Sequence, residues 1–200
     1  AASDVYKRQM WAYACGVISS GMDIVTNLGL IILGIVLAGP VVCGMSQAAN
    51  DWCDRHVDAI NQPNRPIPSG RIPGLWGLWI AISMSAIALV IGWQIGVWGF
   101  YATIIGVAAA WAYSCEPIRL KRSGWWGPGI VALCYEGLPW FTGAAVMSQA
   151  FPSLKIVSAC LVFHYQSNHQ TLDTQEHFCL HNMPLILLCF EYEAPLGQSK

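Results

Sequence analysis

Charge is scarce in this chain: 10% of its 200 residues are Asp, Glu, Lys or Arg, against 55% hydrophobic, where soluble domains carry about a quarter charged residues. From Leu75 to Cys115 there is no charged residue over 41 positions, which excludes a purely soluble binding domain and makes a membrane protein the default. Net charge is also small, −1, so electrostatics supports neither a nucleic-acid nor an acidic partner. C-x-x-C is absent and the eight cysteines show no paired framework. Cys15, Cys43, Cys115, Cys134 and Cys160 lie in apolar runs, where a free thiol behaves as a small hydrophobe. The opening AASDVYKRQ lacks an initiating Met and a signal-peptide n-region, and the apolar run from Met10 to Met22 has thirteen residues, short of the about twenty that span a bilayer core. Residues 1–9 are therefore expected to be a non-native segment, and the first helix to have lost its true start.

What the chain does contain is long apolar runs separated by two polar segments. Ile24 to Asn50 is uncharged and long enough for one spanning helix, with a kink expected at Gly39 and Pro40. Leu75 to Cys115 is too long for one helix and fits two, with GWQIG, Gly92 to Gly96, as the tight turn between them. Pro128 to Ala150 is apolar apart from Glu136. Arg55, Arg65 and Arg71 lie in the first polar segment and Arg119, Lys121 and Arg122 in the second, whereas the turn between them has no base. That alternation predicts that both polar segments face the cytoplasm and share a side.

The first polar segment, Asn50 to Gly74, holds three aspartates and three arginines. Asn50, Asp54 and Asp58 recur every fourth residue, so on a continuing helix they form one polar stripe, each step drifting about 40° and rising about 6 Å. Asn50 and Asp58 would then stand roughly 12 Å apart, too far for one ion to take all three. Adjacent members suit magnesium, which prefers hard oxygens and is held by one or two carboxylates plus substrate phosphates. Arg65 and Arg71 would be free for forked contacts to phosphate oxygens. The same composition also describes a solvated, salt-bridged connector.

The segment NDWCDRHVDAINQPNRPIPSG, with Asn50, Asp54 and Asp58 in its aspartate-rich pattern, resembles the first motif of the UbiA superfamily of intramembrane prenyltransferases. Together with WAYSCEPIRLKRSGWWG and CYEGLPWFTGAAV it is similar to the branch that esterifies chlorophyllides, and His56 and Arg71-Ile72-Pro73-Gly74 look more like its bacteriochlorophyll version. The resemblance covers about Met10 to Ser148 and implies an all-α, polytopic transmembrane bundle of nine helices, of which this chain would hold about five to six. On that resemblance, residues 10–163 would form the partial prenyltransferase domain. The implied reaction joins the propionate of bacteriochlorophyllide to a phytyl or geranylgeranyl diphosphate with Mg2+ as cofactor. The implied surroundings are a lipid bilayer, the bacterial inner photosynthetic membrane, with partner proteins of the same pigment pathway in reach.

Carried over by position, the resemblance makes Asn50, Asp54 and Asp58 the metal and diphosphate residues and Arg65 the arginine that grips the diphosphate. Tyr113, Arg119 and Lys121 match the tyrosine and basic positions opposite. Glu136 is an ionisable residue in an apolar run, a substrate-binding candidate or a helix brace. Trp52, Trp76, Trp79, Trp125, Trp126 and Trp140 cluster around the polar segments, to stack on a tetrapyrrole or to form an interfacial belt. His56 reads as solvent-facing or as a ligand to the pigment's metal.

The end of the chain departs from the family pattern. Four of five histidines fall between His164 and His181, and Asp173 and Glu176 lack the spacing of the second aspartate motif that the family carries. Residues 164–200 are expected to be an aberrant or frame-shifted tail, and the chain to hold one half of the metal site. The alternatives are a chlorophyll synthase or another prenyltransferase of the superfamily, and, from a different class, a non-catalytic pigment-binding or scaffold membrane protein.

Overall fold

The computed structural model describes residues 2–161, with side chains from Tyr6 onward. Residues 164–200, where the aberrant tail is expected, lie outside the described residues. Among the described residues there are five long helices, α1 (Ala2–Ser19), α2 (Leu28–Asn61), α3 (Trp76–Gln94), α4 (Val97–Ser114) and α5 (Trp126–Ser148), with residues 154–161 again helical. No strand occurs among the described residues, as the all-α reading expects. α2 to α5 are each long and apolar enough to cross a membrane. The protein is therefore an integral membrane protein, and the isoleucines and valines exposed along α3 and α4, such as Ile87, Val90, Ile104 and Ile105, form an apolar surface suited to lipid or to neighbouring helices rather than to water. α1 begins well before Met10, so Lys7, Arg8 and Gln9 belong to its first turns. Gln9 is buried and donates to the Cys134 carbonyl at 3.2 Å.

The length of α2 decides where the polar stripe goes. Its 34 residues rise about 51 Å, against a hydrocarbon core of about 30 Å. Roughly four turns must therefore project beyond the apolar slab, and these hold Asn50, Asp51, Asp54 and Asp58. The first half of the Asn50 to Gly74 segment is thus helix rather than loop, ending at Asn61.

Both long kinked helices contain a widened turn. In α2 the turn Leu37–Cys43 is π-helical around Pro40, and in α5 the turn Leu133–Gly137 is π-helical just before Pro139. Proline lacks the N–H that bonds the carbonyl four residues back and its ring collides with that carbonyl, so widening the turn relieves both faults. A kink is expected at Gly39 and Pro40, and the π turn lies at those residues. The hairpin expected at Gly92 to Gly96 is also present: α3 and α4 are joined by Ile95 and Gly96 alone, Gly96 taking φ 114°. Gln149 closes it, donating to the Ile95 carbonyl at 3.3 Å. Between α1 and α2 the chain turns on Asp23, which accepts from the Thr26 hydroxyl and from its N–H at 2.9 Å. The Thr26 hydroxyl bond, seconded by that N–H, holds the Asp23 carboxyl below the usual carboxylate range.

The closest helix contact is α1 against α5. A Cβ on Gly16 would stand 2.0 Å from the Trp140 carbonyl oxygen, and one on Gly143 would stand 2.3 Å from that of Tyr13. Two glycines facing each other's backbones let the helices approach as small residues do in membranes. Tyr13, Val17, Ile31 and Met147 pack beside that contact, and Leu37, Ala88, Ile95 and Val146 form the neighbouring core. Trp140 belongs to the interior too. It is 2% exposed and packs on Cys15 and Cys160, which corrects its placement in a tryptophan cluster around the polar segments: as an α5 residue it follows the buried face toward α1. Trp76, Trp79, Trp125 and Trp126 are exposed as expected.

Gly16→Leu or Gly143→Leu forces α1 and α5 apart and is expected to cost about 1–3 kcal/mol or more, read as a lower midpoint of thermal unfolding in detergent. Gly29→Ala, whose Cβ meets nothing within 4 Å, should leave that midpoint unchanged or raise it, by up to about 1 kcal/mol.

Candidate functional site

The projecting end of α2 meets the segment that follows α4. Because α4 stops at Ser114, level with Asn50, the Ser114 hydroxyl reaches Asn50 Oδ1 at 3.4 Å. The chain then turns through Glu116 and Pro117 into the short 3-10 turn Leu120–Arg122. That turn lays two cations on the stripe. Arg119 Nη2 donates to Asp54 Oδ1 at 2.8 Å, and Lys121 Nζ donates to Asp54 Oδ2 at 2.5 Å and to Asn50 Oδ1 at 3.0 Å. From the loop after α2, Arg65 Nη1 bridges Asp58 at 2.8 Å and Asp51 at 3.1 Å, while its Nε donates to Gln62 at 2.6 Å.

The result is three carboxylates, Asp51, Asp54 and Asp58, held by three cations, Arg65, Arg119 and Lys121. The Asp54 side chain is 17% exposed, Arg119 14% and Lys121 15%. Charges this far out of water have to be paired, because an unpartnered one costs several kcal/mol. Arg119 adopts a left-handed backbone, φ 40°, a strain of order 1–3 kcal/mol that persists only where the surroundings hold it. Here its guanidinium is anchored by Asp54 on one side and by Glu116 at 3.2 Å on the other. Its Nε is buried with no hydrogen-bond partner among the described residues, so one donor is unused.

The structure thus brings together Asn50, Asp54, Asp58, Arg65, Arg119 and Lys121 from the sequence-derived set. Tyr113, one residue before Ser114, lies close enough to Asp54 and to Tyr135 to interact electrostatically with both. Tyr135 in turn lies near Gln47, one turn before the stripe on α2. Two expected residues are placed elsewhere. Arg71 is exposed and bonds its own loop, to the Asn64 carbonyl at 2.5 Å and to Ser69 Oγ at 3.1 Å. Glu136 is buried on another face of α5, where it lines a cavity of about 520 Å³ with Lys7, Arg8, Trp11 and Trp140. His56 is exposed, and Arg55 stacks over Trp52 at 4.1 Å.

Two members of the cluster, and a cross-link beside it, carry no signal in the sequence pattern. Asp51 follows Asn50 directly, so counting by fours passes over it, yet it lies three residues from Asp54 and seven from Asp58 and shares their helix face. Ser114 is identifiable only once α4 is known to end level with Asn50. Cys115 is not a free apolar thiol: it is joined to Cys53 by a disulfide across the same junction, with Cα atoms 5.3 Å apart. No spacing rule pairs residues 62 apart in sequence; the contact exists because α2 and α4 meet here.

A divalent ion fits the donor set in a restricted way. The oxygens of Asn50, Asp51, Asp54 and Asp58 are hard donors on one helix face, but among the described residues no three His, Cys, Asp or Glu converge on one point. That suits an ion held by one or two carboxylates, with phosphate oxygens and water completing its shell. Asp54→Asn is expected to leave Arg119 and Lys121 facing each other and to lower stability in detergent by about 1–3 kcal/mol. Lys121→Met should recover part of that loss, giving a coupling of about 1 kcal/mol in a double-mutant thermal unfolding cycle.

The sequence profile of the UbiA prenyltransferase family matches residues 10–177, of which 162–177 lie outside the described residues. The chain is 77% identical over 138 residues to the bacteriochlorophyll synthase 33 kDa chain of Rhodobacter capsulatus, covering 69% of this chain and 45% of the relative. It is 66% identical over 156 residues to the protein of the same name from Cereibacter sphaeroides, covering 78% and 52%. The chloroplastic chlorophyll synthase of Oryza sativa is 33% identical over 165 residues, covering 75% and 42%. The chain spans about half the length of the curated relatives it matches. No solved structure matches it. An all-helical membrane fold, a paired acid and base cluster at the end of two spanning helices, and a profile match over most of the sequence agree that the chain belongs to the UbiA prenyltransferase family.

Proposed function

We propose that this chain supplies half of the active site of a bacteriochlorophyll synthase, which esterifies the propionate of bacteriochlorophyllide with phytyl or geranylgeranyl diphosphate and releases diphosphate. The observation that carries this reading is the meeting of Arg119 and Lys121 with Asp54, because it assembles anion-binding and cation-binding groups in one place. The names of the Rhodobacter capsulatus and Cereibacter sphaeroides relatives support the choice of pigment. The membrane would be the bacterial inner photosynthetic membrane, with both polar segments on its cytoplasmic side, as the arginines and lysine of those segments favour.

In this reading Arg65, Arg119 and Lys121 turn from the aspartates to the diphosphate oxygens, with the spare Nε of Arg119 adding a donor. Asn50, Asp54 and Asp58 present oxygens to Mg2+, which when bound would neutralise negative charge on the diphosphate. As the bond between the prenyl carbon and its oxygen breaks, charge builds on the leaving group, and cations held in place by helix and turn stabilise that charge without reorganising. The acceptor carboxylate is already ionised at neutral pH, so no general base is required. Its oxygen forms the new bond to the prenyl carbon and the electron pair departs with the diphosphate. Tyr113 stands beside Asp54 to orient the groups at the rim, and the apolar prenyl tail lies along the helices.

The test uses membranes carrying the chain joined to the remaining half of the Rhodobacter capsulatus relative, given bacteriochlorophyllide, geranylgeranyl diphosphate and magnesium, with the pigment ester read by chromatography. Asp54→Ala and Asp58→Ala are each expected to reduce ester formation by about 100-fold or more, and Arg119→Ala similarly. Chelation of magnesium should abolish product and re-addition restore it. Arg71→Ala, outside the cluster, should stay within about 2-fold, the range expected when no transition-state contact is removed. Equal esterification by the parent and by both aspartate variants would refute the assigned roles. Pigment retained without ester, and indifferent to magnesium and diphosphate, would indicate a pigment-binding protein instead.

A further inference from the structure

Among the described residues, Cys53 and Cys115 occupy a position that no other cysteine shares. Cys53 precedes Asp54 on α2, and Cys115 is the first residue after α4, directly before the segment that supplies Glu116, Arg119 and Lys121. Their disulfide therefore closes the same junction as the ion pairs from Asp54 to Arg119 and Lys121. Both residues are half-buried, as is the free Cys134, whereas Cys15, Cys43 and Cys160 are buried in the helix packing; of these it is the Cys53–Cys115 pair that spans the junction. The junction does not depend on the bond for its existence, since Ser114 and Lys121 already reach Asn50 without it. A covalent link that duplicates existing contacts, beside groups that must exchange partners to admit a ligand, acts on movement rather than on folding.

We propose that Cys53 and Cys115 are a reversible redox modification site that takes a small-molecule disulfide as oxidant and, when oxidised, holds the diphosphate site shut. This inference rests on the prenyltransferase reading. In the oxidised form α2 and the second polar segment are tied one residue before Asp54 and four residues before Arg119, so Arg119 and Lys121 stay on Asp54. In the reduced form the segment lifts and the cations turn to phosphate. The chemistry balances as thiol–disulfide exchange. One cysteine thiolate attacks a sulfur of the oxidant RSSR and expels RS⁻; the second attacks the resulting mixed disulfide and expels another. The protein loses two electrons and two protons and the oxidant leaves as two RSH; a dithiol reverses the sequence. With the site on the cytoplasmic side, such a pair fits the redox-sensing class of disulfides found in reducing compartments.

The experiment uses the membranes described above, treated with oxidised glutathione or with dithiothreitol. Two readouts are taken: the number of thiols labelled by maleimide-polyethylene glycol after denaturation, and the rate of ester formation. For the parent, oxidation should protect two thiols and lower esterification at least about 10-fold, with dithiothreitol restoring both, as expected for release of a covalent tether. Cys53→Ser, Cys115→Ala and the double variant should lose the protected pair and keep the reduced parent's rate, within about 2-fold, in both conditions. Either cysteine remaining labelled after oxidation would overturn the proposal, as would protection without loss of rate, or an equal loss of rate in the double variant. If the pair forms but the reduced parent makes no ester, the functional reading fails and the gating falls with it, while the thiol count still marks the redox pair as real.

Discussion

Two cations from one segment share the carboxylate of Asp54 on another, 65 and 67 residues away in sequence, and much of the structure is arranged around letting them do so. Such a chain has few charges to spare. Those near the edge of an apolar slab must be paired, since neither lipid nor a thin layer of interfacial water repays an isolated ion. The pairing requires α2 to overrun the membrane and α4 to stop level with Asn50. An 18-residue helix rises about 27 Å, close to the thickness of a hydrocarbon core, whereas α2 is nearly twice as long. The mismatch between the two helices creates the site.

Holding that register is the task of the interior. The glycine contact of α1 with α5 brings the two backbones together, and the two proline-associated π turns bend α2 and α5 in the same region of the bundle. Gln47 and Tyr135 lie near each other on these two helices just below the stripe. The tight hairpin at Gly96 makes α3 and α4 antiparallel neighbours, so the base-free turn and the two charged segments lie at opposite ends. Arg119 pays for this arrangement in backbone strain, and its side-chain contacts with Asp54 and Glu116 offset that strain.

How far the sequence alone leads can be followed through particular residues. The spanning helices, the Gly96 hairpin, the bend at Pro40 and the shared side of the two polar segments are readable because hydropathy, turn residues and charge alternation are local signals. Asn50, Asp54 and Asp58 are readable as a stripe because helical period is local as well. Asp51 was missed by a rule of spacing that was too strict, and Ser114 and the Cys53–Cys115 pair because they depend on where one helix ends against another. Trp140 was misplaced for a related reason: proximity in sequence to a polar segment does not reveal which face of α5 turns inward. Arg71 has the composition of a phosphate ligand, but its loop folds so that its guanidinium serves the loop.

The balance of the cluster bears on what it can admit under the proposed reading. With Asp51, Asp54 and Asp58 matched by Arg65, Arg119 and Lys121, an anion arriving alone would draw the cations away and leave carboxylates unpaired in a poorly hydrated place. A divalent cation arriving alone would meet carboxylates whose oxygens are already occupied, and would displace an arginine and a lysine with nowhere to go. Only a guest carrying both signs lets every group change partner at once, the cations moving to phosphate and the carboxylates to metal, with no charge stranded on either side. Under the proposed function, a site closed by its own ion pairs would thereby select a metal–diphosphate complex over its separate components, and it would require α2 and the segment after Cys115 to yield slightly as the partners change.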